Sequence, residues 1–123
     1  MAKILIIDDD PAMRKLVTVL MRSLSHEIIE AVDGITGISL AISKTPDLII
    51  CDYHMPGVNG LDALISIRKE SILKNTPVII TSTGINKQTE GVYKKLGVSY
   101  CLTKPVDIVE LRTKIEQALS PNT

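Results

Sequence analysis

Three aspartates, Asp8, Asp9 and Asp10, follow directly on the apolar run Ile4, Leu5, Ile6, Ile7. Two like charges about 4 Å apart repel by roughly 4 kcal/mol at an effective dielectric near 20. Crowding carboxylates at the end of a core strand therefore calls for a use. Along the chain, Asp52 ends the third such apolar run, Ser82 ends the fourth, and Lys104 comes just after the fifth. Asp10 has an ordinary role available, because an aspartate before Pro11 suits a helix N-cap. Asp8, Asp9 and Asp52 remain, with a formal charge of −3 that Lys104 brings to −2 if the fold gathers them. A divalent cation would cancel that charge. Oxygen donors without a His or Cys cluster favour Mg²⁺ or a relative over zinc.

For these residues to meet, the elements that carry them must end at one place. Short apolar runs at 4–7, 27–31, 48–51, 78–81 and 100–103 alternate with segments of helical period. Met13, Leu16, Val17, Leu20, Met21 and Leu24 mark the first helix, and Ile35, Ile38, Ala41 and Ile42 the second. Leu61, Leu64 and Ile65 mark the third; Ile108, Leu111, Ile115 and Leu119 mark the last. The segment 86–96 reads as the weakest helix, with Gly91 inside it and few apolar anchors. Five strand–helix pairs without a linker predict a parallel sheet covered by helices on both faces. Right-handed crossovers put every strand-to-helix loop at the carboxyl edge, where ligands bind in open sheets.

Composition narrows the function. The 123 residues suit one domain, 1–123, and 45% apolar content suffices for its core. Fourteen basic residues balance 14 acidic ones, which gives no global pull toward nucleic acid or an anionic membrane. No apolar run is long enough to span a bilayer, and MAKILII enters a strand without a signal-peptide layout. Cys51 and Cys101 both lie in strand-like stretches, where a reduced, buried role in the cytoplasm is expected. Trp and Phe are absent and tyrosines number three, which argues against a stacking platform for single-stranded nucleic acid or a flavin ring.

The stretches "IIDDDPAMRKLV", "DLIICDYHMPGVNG", "PVIITS" and "LTKP", in this order on a five-fold βα pattern, carry a resemblance. The chain resembles, over essentially its whole length, the receiver domain of bacterial two-component response regulators. The resemblance implies a doubly wound, flavodoxin-like (βα)5 fold with strand order 2-1-3-4-5. It implies that Asp52 accepts a phosphoryl group, and that Asp9 and Asp52 ligate Mg²⁺, with Asp8 doing so directly or through water. The backbone carbonyl of His54 is implied as a further ligand, with the His54 side chain exposed and outside the ligand set. Lys104 would pair with the phosphoryl group and Ser82 would hydrogen-bond it. Periodicity cannot choose Ser82 over Thr81 or Thr83; its spacing from Pro77, as in the family, does so. A cis bond is implied at Lys104–Pro105.

The family usually has Tyr or Phe three residues before the active-site lysine and often Phe after its proline. Cys101 and Val106 stand there instead, with Tyr100 on the opposite strand face. The switch is therefore expected to run through the segment after Ser82 and the fourth helix, without an aromatic rotor. The family also implies a histidine kinase or histidine phosphotransfer protein as donor and a downstream protein as target. With the chain ending at Thr123, an isolated or excised receiver without an output domain is expected, a switch more than an enzyme. Two other functions compete. Asp8-x-Asp10 echoes the nucleophile motif of haloacid-dehalogenase phosphatases, which would make Asp8 the phosphorylated residue; Ala12 and the lack of a cap domain oppose it. A flavodoxin-like FMN carrier would place its phosphate against three aspartates.

Overall fold

The computed structural model describes residues 1–120; residues 121–123 of the predicted domain lie outside the described residues. Five parallel strands are ordered β2-β1-β3-β4-β5. Along the chain they alternate with helices: β1 (Lys3–Ile7), α1 (Pro11–Ser23), β2 (Glu27–Ala31), α2 (Gly34–Lys44) and β3 (Leu48–Asp52). Then come α3 (Gly60–Arg68), a 3₁₀ turn at Ser71–Leu73, β4 (Val78–Ser82), α4 (Lys87–Lys95), β5 (Tyr100–Thr103) and α5 (Ile108–Leu119). The fold is the parallel sheet with helices on both faces that the alternation predicts, in the doubly wound, flavodoxin-like order that the family resemblance implies.

Side-chain alternation divides the core into two layers. Leu5, Ile7, Ile49, Cys51, Val78 and Ile80 face one way and pack with Ala41, Leu64, Ile67 and Tyr93 from α2, α3 and α4. Ile4, Ile6, Leu48, Ile50, Ile79 and Leu102 face the other way, onto Met13, Val17 and Met21 of α1 and Leu111 and Ile115 of α5. Strands β3 and β4 are buried along their whole length, which is why they read as continuous apolar runs.

Two strands run one residue beyond their apolar run. Asp52 pairs with Thr81, and Ser82 with Thr103, so both functional candidates belong to the ladder itself. Backbone pairing continues where hydrophobicity stops. In α2 the expected stripe is displaced. Ile35 is 69% exposed and Ile42 is also exposed, while Gly34, Gly37 and Ala41 are buried. A Cβ on Gly37 would come within 2.5 Å of the Ile7 side chain, so the helix lies against β1 through this glycine, while Gly34 abuts Val58. A search for apolar periodicity does not register a missing side chain as a packing face. Leu16, Ile65 and Ile108 are likewise more exposed than their stripes imply.

Candidate functional site

Each candidate is held by a local device at the carboxyl edge. Asp8 follows β1, and its N–H donates to the Ala31 carbonyl at 3.1 Å, tying it to the end of β2. Its carboxylate Oδ1 accepts from the Asp10 N–H at 2.9 Å. Arg14 donates to the Asp8 carbonyl at 2.8 Å and lies 3.4 Å from Glu30, which braces the same turn from α1. Asp10 is the N-cap of α1, accepting from the Ala12 N–H at 2.9 Å with Pro11 in the first turn, as its sequence context predicts. Asp9, between them, is exposed.

At the end of β3, the Asp52 carbonyl lies under the start of α3. A Cβ on Gly60 would fall 2.4 Å from that oxygen, so glycine there lets the helix approach the strand end. Gly57, at φ +78°, turns the intervening segment. Lys104 is positioned by its N–H, which donates to the Ser82 carbonyl at 2.8 Å and joins β5 to β4. The bond from Lys104 to Pro105 is cis.

The side chains converge. Carboxylate oxygens of Asp8, Asp9 and Asp52 lie within 4.8 Å of one another. Lys104 Nζ is 3.2 Å from Asp8 Oδ2 and 3.3 Å from Asp52 Oδ2. At an effective dielectric of 20, each carboxylate pair repels by roughly 3 kcal/mol and each lysine pair attracts by roughly 5 kcal/mol. Lysine therefore offsets most of the repulsion, and desolvation remains, because Asp8 and Asp52 are 0% and 2% exposed. The Asp8 pKa follows this order. Burial raises it most, the Asp52 charge raises it further, and the Asp10 N–H and Lys104 oppose the rise without cancelling it. Burial alone would depress Lys104, but Asp8 and Asp52 outweigh burial and raise it.

One atom is left over. Asp52 Oδ1 is buried and has no hydrogen-bond partner, although Oδ2 has Lys104. A buried acceptor without a partner costs about 1–3 kcal/mol, more when charged. The same carboxylate group belongs to the cluster with Asp8 and Asp9. An all-oxygen set next to an orphaned carboxylate oxygen fits a hard divalent cation.

Ser82, also buried, has its Oγ on the Gly84 N–H at 3.2 Å and 3.4 Å from His54 Nε2. The same nitrogen is 3.0 Å from Thr83 Oγ1. The His54 side chain is exposed, as expected, yet it bridges the loop after β3 to the end of β4. Sequence reading missed this link; the only available signal was its position two residues past Asp52. Cys51 and Cys101 are free. Burial first, then the Asp52 and Asp8 charges, push the Cys51 thiol far up, which leaves it inert as a nucleophile. His26 accepts from the Ala2 N–H at 2.9 Å, a local tie far from the site.

A family model described as the response regulator receiver domain matches residues 4–116. The chain belongs to that family. Protein PilH of Pseudomonas aeruginosa is 36% identical over 121 residues, which cover 98% of this chain and 99% of PilH. Chemotaxis protein CheY of the same organism is 33% identical over 116 residues, covering 94% of each chain. The DNA-binding regulator RpaA of Synechocystis is 36% identical over 121 residues but extends well beyond them, the match covering 49% of its length. Among solved structures, Vibrio cholerae CheY4 superposes with a TM-score of 0.91 at 28% identity, over 97% of this chain and 99% of that one. The phosphatase alternative is not favoured by these relatives. The site agrees: both Asp8 oxygens are engaged, and the unpartnered oxygen belongs to Asp52.

Proposed function

We propose that residues 1–123 form a single receiver domain that works as a phosphorylation-dependent switch in a two-component phosphorelay, with Asp52 as the phosphoacceptor. The unpartnered Asp52 Oδ1 carries this reading. It is the nucleophile that attacks the phosphorus of a phosphohistidine on a histidine kinase or phosphotransfer protein. The phosphorus–nitrogen bond breaks and the histidine leaves. Lys104, already on Asp52 Oδ2, neutralises the transferred group, and Ser82 supplies a hydroxyl from β4. Phosphoryl transfer depends on such positioning and neutralisation more than on proton transfer. Asp8, Asp9 and Asp52, with the His54 backbone carbonyl, would hold Mg²⁺. When bound, the ion neutralises charge on the phosphoryl oxygens. The output is altered docking of a downstream protein in the cytoplasm, and catalysis is limited to the chain's own phosphorylation and dephosphorylation. PilH and CheY are matched over nearly their whole length and RpaA over about half of its own, so receivers similar to this one occur both by themselves and joined to further domains.

Intact mass before and after incubation with a small acyl phosphate and Mg²⁺ tests the assignment. Wild type is expected to gain one phosphoryl group and Asp52→Asn none. Wild-type labelling levels in Asp52→Asn would overturn it, and labelling lost only in Asp8→Asn would point to the phosphatase chemistry instead.

A further inference from the structure

Tyr93 is the largest fully buried side chain among the described residues, 1% exposed, and the only buried residue of α4. Its ring packs in the core layer with Met55 of the loop after Asp52, Ile80 of β4, and half-buried Tyr53 and Cys101. Its hydroxyl is buried without a hydrogen-bond partner. Burial pushes the phenol up to about 12, and Tyr53, against the same core layer, directly follows Asp52 in the chain.

A buried tyrosine normally finds a partner for its oxygen. Phenylalanine would fill the same volume without the desolvation cost of an idle hydroxyl. The hydroxyl therefore points to a second arrangement in which it is bonded. The structure shows which part could rearrange. Helix α4 has no other buried anchor, Gly84 and Gly91 have open space around them, and the Ser82 hydroxyl rests on the Gly84 N–H and His54.

We propose that Tyr93 is a positioning residue that couples α4 to Asp52. Its hydroxyl is idle while Ser82 rests on Gly84 and His54, and it gains a partner when a phosphoryl group on Asp52 draws Ser82 inward and α4 follows. The coupling rests on the reading of Asp52 as phosphoacceptor. It supplies from a helix the aromatic ring that β5, with Cys101, does not carry, and replaces the expectation of a switch without an aromatic.

Wild type, Tyr93→Phe and Tyr100→Phe, full-length and carrying tyrosine labelled with ¹³C at Cζ, are compared with and without Mg²⁺ and beryllofluoride. Phosphoryl uptake is measured separately by intact mass. Uptake is expected within two-fold of wild type in both variants. The Tyr93 resonance, identified by its loss in Tyr93→Phe, shifts on beryllofluoride binding. The accompanying change in amide exchange across α4 falls by at least half in Tyr93→Phe and persists in Tyr100→Phe. Unmodified Tyr93→Phe melts above wild type. A ring that only fills space would leave the α4 response intact in Tyr93→Phe. That result, or an unmoved Tyr93 resonance with normal uptake, overturns the coupling and leaves the receiver reading standing. No phosphoryl uptake by wild type overturns the receiver reading, and the coupling with it.

Discussion

Burial raises the Asp8 pKa above the ordinary aspartate value of 3.8, and this sets a pH dependence with a definite sign. A group whose folded-state pKa is raised stabilises the fold below its unfolded pKa and loses that contribution as pH rises through the folded value. Metal-free protein is therefore expected to gain stability from Asp8 as pH falls from neutrality toward 3.8. The proposed Mg²⁺ site uses the carboxylate, so Mg²⁺ affinity is expected to weaken over the same window. Asp8→Asn removes the buried charge and keeps an acceptor for the Asp10 N–H. It is expected to raise metal-free stability at neutral pH, flatten the acid-side gain, and lower Mg²⁺ affinity more than ten-fold. Thermal melts across pH and a Mg²⁺ titration followed by tyrosine emission check all three; a neutral-pH loss of stability in Asp8→Asn would contradict the sign. The gathering of Asp8, Asp9, Asp52 and Lys104 was legible in the sequence because they stand at the ends of strands whose carboxyl edges must coincide. Ser82 needed the family's spacing, since Thr81 and Thr83 offer the same chemistry. The His54 bridge was hidden because side-chain reach across two loops has no local signature.

Helix α4 was legible as the weak element, and the reason is now visible in its packing. Lys87–Lys95 is nine residues long, capped by Asn86, whose side chain accepts from the Thr89 N–H at 2.9 Å, and has one buried residue. What the sequence did not disclose is that this single anchor is aromatic and enters the core beside Cys101, because one tyrosine among lysines shows no apolar period. A Cβ on Gly91 would meet nothing within 4 Å. Gly91→Ala is thus expected to stabilise the protein by about 0.5–1 kcal/mol and to slow amide exchange in α4. Equilibrium denaturation and hydrogen exchange test this; a destabilised variant would mean that α4 needs its glycine for more than chain flexibility. Helix α2 shows the opposite limit. Its buried face is made by Gly34, Gly37 and Ala41, and the isoleucines that suggested a core stripe stand partly in water.

At the scale of the whole molecule, the strand order was legible from the family resemblance, while the βα alternation alone required only a parallel sheet. The two layers follow from that sheet, and so does the gathering of Asp8, Asp52, Ser82 and Lys104 from positions up to 96 residues apart. The order β2-β1-β3-β4-β5 also has a consequence for how the protein comes apart. Strands β1 and β3 each have two neighbours and fully apolar cores, whereas β5 touches only β4 and is followed in space by the thinly anchored α4. Free energies of local opening are set by such differences in buried contact. Native-state hydrogen exchange in low denaturant should find α4 and β5 opening together at a fraction of the global stability, with β1 and β3 exchanging only on complete unfolding. Uniform exchange across the sheet would refute that hierarchy. If it holds, the part of the chain proposed to signal is also a partly independent folding unit, and ligands that populate or suppress its opening would tune the signal without touching Asp52.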